Sequence, residues 1–220
     1  MHHRKRFILP AVATLMLAVA VVLYLRDPFR DTLGAYSTDL APRTAEQRRN
    51  IGEGARRLDR VEIEPGGAFS FNRAVGPRTL ARGFVPATAF LEGARTESSG
   101  GGICQVSSTL YNAALAAGMT IEARVPHDRL VESVPAGADA TVWYGKADLA
   151  FRNGLGGPVR ILARADGDRL TIAIRGVRQG PAPAIVRQEL PPPRPGTVQM
   201  LTWRVTGARR ELISQDVYRR

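Results

Sequence analysis

An uncharged stretch spans residues 7–25, interrupted only by Pro10 and Thr14, and is long enough to cross a bilayer as a helix. Polarity returns at Arg26. Thr44-Ala45-Glu46-Gln47 then fits a capping box, and Ile51, Ala55 and Leu58 follow at helical spacing, which predicts a charged surface helix over 44–58 with one buried stripe. Val61-Glu62-Ile63 alternates as a short strand that runs into a Pro65-Gly66-Gly67 turn. Phe69 and Phe71 flank Ser70 in a second strand, and residues 85–91 form a third. The clearest helix covers 104–118, where Val106, Leu110, Ala113, Ala114 and Ala117 line one face and Gly118 stops it. Strands are expected at 121–125, 140–144, 147–152, 158–165 and 169–175, the last two joined by an Asp166-Gly167-Asp168 turn. Beyond them lies an apparent hairpin of 198–206 and 209–218.

These elements predict an α+β class: a mixed, mostly antiparallel sheet with a helix following a Gly-rich loop, plus an N-terminal transmembrane helix. The expected organisation is a basic N-terminus (1–6), a transmembrane signal-anchor (7–25) and a juxtamembrane linker and helix (26–59). The main domain (60–176) follows, then a Pro-rich linker (177–196) and a C-terminal β-hairpin (197–220). With 22 glycines and 15 prolines in 220 residues, the chain is richer in turn formers than average, which fits a strand-rich domain rather than a bundle.

A net charge of +11 invites a nucleic-acid reading, but its distribution argues against one. Arg4, Lys5 and Arg6 carry +3 ahead of the apolar run, and residues 175–220 hold nine basic and three acidic groups. The intervening 7–174 is nearly balanced. Basic residues before the run and cancelling charges after it (Arg26, Asp27, Arg30, Asp31) leave the N-terminus inside by the positive-inside rule, with the domain periplasmic or extracellular. A cleaved signal peptide ending near Ala18-Val19-Ala20 is the competing reading; the run continues past it to Leu25, which favours an anchor in the cytoplasmic membrane.

Cys104 is the chain's one cysteine, so it makes no disulfide within the chain. It follows Gly100-Gly101-Gly102-Ile103 at the start of the predicted helix, where unpaired N–H groups and the helix dipole favour negative charge. Of three histidines, His2 and His3 precede the apolar run, leaving His127 as the imidazole able to serve the thiol as a base. Asp128, Asp139 and Asp148 are candidates to orient that base; Asp128 is the least attractive, because neighbouring side chains diverge in extended chain. The glycine-run amides and those opening the helix are candidate oxyanion donors. One cysteine and one exposed histidine make no zinc site, no GxxxxGK[ST] loop is present, and neither a metal nor a cofactor is expected. The alternative is that Cys104 only packs.

Several of these residues carry a resemblance to the VanW domain family. It begins at Phe69-Ser70-Phe71-Asn72 and Val75-Gly76-Pro77-Arg78-Thr79, continues through Gly83-Phe84, and is tightest from Gly100 through Cys104-Gln105-Val106-Ser107-Ser108-Thr109-Leu110-Tyr111-Asn112 to Leu115. It resumes at His127 and Arg129, then Val134-Pro135, Gly137, Asp139-Ala140-Thr141-Val142, Tyr144-Gly145, Asp148-Leu149, Phe151 and Asn153. Where relatives often have Gly-Ile before the glycines this chain has Ser98-Ser99, and around the histidine it has Pro-His-Asp-Arg in place of Asn-His-Ser-Arg. The resemblance implies a peptidoglycan L,D-transpeptidase or related peptidase acting on stem peptides. It implies Cys104 as nucleophile, His127 as base and the glycine-run amides as oxyanion hole. The expected catalytic set is Cys104, His127 and Asp139, with the choice of orienting carboxylate left open, and Gly100, Gly101, Gly102, Gln105, Ser107, Arg129 and Tyr144 are the expected oxyanion or substrate contacts. A non-enzymatic module that binds peptidoglycan or a glycopeptide is the rival reading.

Overall fold

In the computed structural model the backbone is described for residues 8–91 and 94–220; the side chains of 1–12, 14, 15, 18, 20 and 89–97 lie outside the described residues. Helix α1 (Ile8–Arg26) is followed by strand β1 (Asp31–Asp39) and helix α2 (Ala45–Leu58). The short strands β2 (Glu62–Ile63) and β3 (Ala68–Ser70) lead into the one-turn helix α3 (Phe71–Val75). A hairpin of β4 (Pro86–Leu91) and β5 (Ala94–Ser99) precedes helix α4 (Ile103–Ala116) and strand β6 (Thr120–Ala123). Then come β7 (Ala150–Arg152), β8 (Val159–Asp166), β9 (Arg169–Gly176), β10 (Ala184–Leu190), β11 (Thr197–Thr206) and β12 (Arg209–Arg219). Every named strand pair is antiparallel, so the protein is a mixed α+β fold with few helices. Among the described residues no helix is long and apolar enough to cross a membrane; the expected span at 7–25 falls largely on side chains outside that set, and the basic cluster at 4–6 falls wholly outside it.

The core lies between the sheet β1-β9-β8-β2 and the pair α2 and α4. Val159, Ile161 and Ala163 on β8, with Leu170, Ile172 and Ile174 on β9, alternate inward. Helix α2 carries the capping box its sequence predicts: Thr44 Oγ1 accepts from Gln47 N and Gln47 Oε1 accepts from Thr44 N. Helix α4 is buried all round, from Ile103 and Gln105 to Leu115 with Cys104 half-covered, which makes it the central post of the domain rather than a surface helix. Strand β1 runs so close to it that a Cβ on Gly34 would lie 2.3 Å from Ala117 N and 2.5 Å from Ala113 O, so glycine is required there.

Three expectations change. Residues 31–39, read as linker, form an edge strand of the main sheet; a bulge between Thr32 and Gly34 buries Leu33 and Gly34 in succession and hides the period of two. Residues 184–190, read as Pro-rich linker, form β10, whose mostly exposed side chains leave no apolar alternation to find. Residues 140–144 make only the isolated bridges Val125–Thr141 and Trp143–Ala147, because this segment is held against α4 instead of a strand partner. The C-terminal hairpin joins β10 in the sheet β10-β11-β12 and packs back on the domain through hydrogen bonds described below.

Candidate functional site

The triple glycine is a steric necessity. Gly100 and Gly102 have φ of 92° and 96°, and a Cβ on Gly101 would lie 2.6 Å from both Ala87 O and Thr88 O. This turn delivers Cys104 into the first turn of α4. The Gly100 and Gly101 amides donate to Val85 O and Ser98 O, so they are already used within the fold and do not face a ligand as the sequence suggested. Among the described residues the amides of Gly102 and Cys104 have no acceptor, and these are the donors the turn offers to an anion.

His127 stands beside the thiol with its side chain 19% exposed. Its Nδ1 lies 2.7 Å from Asp139 Oδ2, which also accepts the His127 backbone N–H at 2.6 Å. A carboxylate only accepts, so Nδ1 carries the proton and Nε2 is left to face Cys104. Burial alone would lower the His127 pKa; hydrogen bonds to Asp139 and Cys104, and their charges, outweigh it and raise the value to about 9. Cys104 Sγ itself lies 3.7 Å from Val142 O.

Asp139 is 1% exposed, and burial would raise its pKa; the hydrogen bond to His127, the charge of Arg124 and the hydroxyl of Tyr218 together hold it below the usual value. Its Oδ1 accepts from Arg124 Nη2 at 2.8 Å and from Tyr218 OH at 2.6 Å. Arg124 also donates Nε to Asp139 O at 2.7 Å and Nη1 to Asp216 Oδ1 at 2.5 Å, while Tyr218 OH accepts Gly137 N at 2.9 Å. The carboxylate is thus fully coordinated by donors from two parts of the chain far apart in sequence. Helix α4 fixes the same loop from the other side. Ser107 Oγ donates to Ala140 O at 2.6 Å, Ser108 Oγ accepts Ala140 N at 2.9 Å, and Asn112 Nδ2 donates to Ala138 O at 2.6 Å. Cys104 and Asp139 therefore share one rigid frame.

The structure brings Cys104, His127 and Asp139 together and separates the other candidate orienters. Asp128 is exposed and paired with Arg219 on β12. Asp148 accepts from Ser70 Oγ at 2.5 Å and from the amides of Asn72 and Leu149 at 2.9 Å, bracing the start of α3. Gln105 and Ser107, expected at the substrate, are buried with their polar atoms committed internally: Gln105 bonds Arg43, Thr38 and Asp39 O, tying α4 to β1. Arg129 is exposed against the C-terminal strand, bonding Arg220 O, and is not part of the cluster. Tyr144 is 51% exposed and lies 6.0 Å from Arg78.

Sequence reasoning missed Arg124, Tyr218, Asp216 and Arg78. The first three gave no local signal. Arg78 lay inside a quoted motif, Gly76-Pro77-Arg78-Thr79, without a role. A shallow cleft of about 530 Å³ lined by Asn72, Tyr144 and Asp148 adjoins it; a second, of about 360 Å³, lies behind the network against Tyr111, Arg124 and Asp216 and touches neither Cys104 nor His127. Cys104 and His127 do not line the first cleft either; it approaches the site through Tyr144, whose ring lies beside Arg78. Among the described residues no three His, Cys, Asp or Glu side chains are grouped to hold a metal ion.

The fold and cluster define a class of α+β domain with a thiol, an imidazole and a buried carboxylate gathered at the start of a central helix. The family described as VanW like protein matches residues 46–175, more than half of the chain, and the chain belongs to that family. It is 40% identical over 142 residues to the Bacillus subtilis (strain 168) protein named "Uncharacterized protein YoaR", across 64% of this chain and 47% of that one. It is 33% identical over 111 residues to "Vancomycin B-type resistance protein VanW" of Enterococcus faecalis (strain ATCC 700802 / V583), across 47% of this chain and 40% of that one. The chain thus spans less than half the length of these curated relatives. No solved structure matches it.

Proposed function

We propose that this chain is a cysteine-dependent acyl-transfer enzyme of the cell wall, an L,D-transpeptidase or related peptidase acting on peptidoglycan stem peptides. The observation that carries the reading is the placement of His127 between Asp139 and Cys104, with Nδ1 occupied by a buried carboxylate and Nε2 left for the thiol. The printed name of the Enterococcus relative ties that protein to vancomycin resistance and supports a cell-wall substrate here. Residues 7–25 tether the domain to the cytoplasmic membrane with the site outside.

In the reaction, Sγ of Cys104, its proton already held on His127 Nε2, attacks the carbonyl carbon between the penultimate and last residues of a stem peptide. The carbonyl π electrons move to oxygen, which meets the free amides of Gly102 and Cys104. Collapse breaks the C–N bond, His127 returns the proton to the departing amine, and a thioester remains. An acceptor amine then attacks the thioester, gives its proton to His127 and receives the acyl group; the sulfur leaves as the thiolate, with that proton kept on the ring. Asp139 keeps the ring in one tautomer throughout and balances its positive charge.

The test incubates the full-length protein in detergent with stem tetrapeptides and a D-amino acid, followed by intact mass and product analysis. Expected is an acyl adduct on Cys104 and exchange of the terminal residue, both lost in Cys104→Ala. Exchange that survives in Cys104→Ala removes the thiol mechanism. Peptide binding without adduct or exchange in the wild type favours a non-enzymatic wall-binding module.

A further inference from the structure

We propose that Arg78 is a carboxylate anchor beside Cys104, so that the site selects peptides ending in a free α-carboxylate one residue beyond the bond that is cut. The inference rests on the acyl-transfer reading and specifies its substrate. Arg78 follows the Gly76-Pro77 turn, and its stem lies against the glycine run so tightly that a Cβ on Gly100 would sit 2.8 Å from Arg78 Cβ and Cγ. The guanidinium lies 5.4 Å from the Phe71 ring and 6.0 Å from the Tyr144 ring. Nη1 is used on Gly76 O at 3.0 Å, whereas Nη2 is buried and has no hydrogen-bond partner among the described residues. Among the described residues Arg78 forms no ion pair.

Such a group is costly to leave in this state. A buried guanidinium nitrogen needs an acceptor, and the planar fork that carries it matches a carboxylate. Burial lowers the Arg78 pKa, opposed by the acidic groups near it, Cys104 first and then Asp148 and Tyr144. Asp148 has its oxygens engaged by Ser70, Asn72 and Leu149, which leaves it little capacity to pair with Arg78. The unpaired Nη2 is thus left for an anion that arrives past Tyr144, whose ring the guanidinium faces. In a peptide whose last amide is attacked, the terminal carboxylate is separated from the scissile carbon by one residue, the reach an anchor beside the nucleophile requires.

Binding and chemistry are read separately. Full-length Cys104→Ala protein in detergent is titrated with a stem tetrapeptide acid and with the same peptide as its C-terminal amide, and so is the double variant Cys104→Ala/Arg78→Gln. The expected result is that the acid binds about 10- to 100-fold more tightly than the amide, and that Arg78→Gln removes this preference while leaving amide binding in place. Arg78→Lys, which keeps the charge without the fork, should keep part of the preference. Equal affinities in the parent, no measurable binding of either peptide, or an unchanged ratio in Arg78→Gln with a native melting profile would overturn the anchor. Acid-selective binding without any Cys104 adduct in the wild type would instead sink the transpeptidase reading and leave the anchor standing.

Discussion

The two sides of Cys104 are built on opposite plans. Toward His127 every polar atom that matters is matched: Asp139 accepts four hydrogen bonds, Arg124 holds two carboxylates, and Tyr218 both donates and accepts. Toward Arg78 the partners run out: among the described residues one guanidinium nitrogen is unpaired, Tyr144 is half in solvent, and the Gly102 and Cys104 amides have no acceptor. A saturated network has one arrangement and resists change, which suits a group that must hand a proton back and forth without reorganising. An unsaturated surface is completed by something that arrives. The contrast separates the part that organises the proton from the part that meets the ligand, and it can be attacked from either side.

Asp139→Asn should have the largest effect. Donors point at both carboxylate oxygens, so an amide NH2 must oppose one pair whichever way it is flipped, and Arg124 loses one of its two charge partners. Activity should fall by about 10²- to 10⁴-fold, stability by about 3–5 kcal/mol in a denaturant series, and the His127 titration followed by NMR should move down from about 9. A titration left near its original value would mean that the carboxylate does not govern the ring.

Tyr218→Phe is a milder cut through the same side. It removes one bond to Asp139 and strands the buried Gly137 N–H, at a cost of about 1–3 kcal/mol. His127 should lose its proton at lower pH than in the wild type, but by less than in Asp139→Asn. The substituted residue lies outside the matched family region, so an unshifted titration would reduce the C-terminal sheet to packing.

The pH dependence of stability follows from the same ring. Folding raises the His127 pKa from 6.5 to about 9, so the protonated ring favours the folded state. Its contribution is complete below the unfolded value and is lost as pH rises through the folded one. The stability difference between wild type and His127→Gln should therefore shrink between those two values, and a difference that grows would reverse the sign of the interaction. Asp128→Ala, adjacent to His127 but paired with Arg219 at the surface, should change stability by at most about 1 kcal/mol and leave turnover as it was. A large loss of activity there would relocate the organising side.

Much of this arrangement shows in local patterns. The α2 capping box, the run from Gly100 into α4, and the turn between β8 and β9 are written in neighbouring residues, because caps, turns and helical stripes depend on contacts a few positions apart. The bulged strand β1 and the polar strand β10 were missed because their burial follows no simple period. At the site, Ser107 was read as a substrate contact and Ser108 given no role, whereas both hydroxyls of this polar pair grip the loop that carries Asp139.

By itself the sequence determined the family resemblance, the α+β class, and the pairing of one cysteine with His127, since composition left no other thiol and no other imidazole beyond residue 3. Only the tertiary structure chose Asp139 over Asp128 and Asp148, brought Arg124 and Tyr218 behind it, and left Arg78 Nη2 without a partner among the described residues. The reason is range. Hydrogen bonds between residues dozens of positions apart depend on how sheets and helices pack, and no local period records that packing.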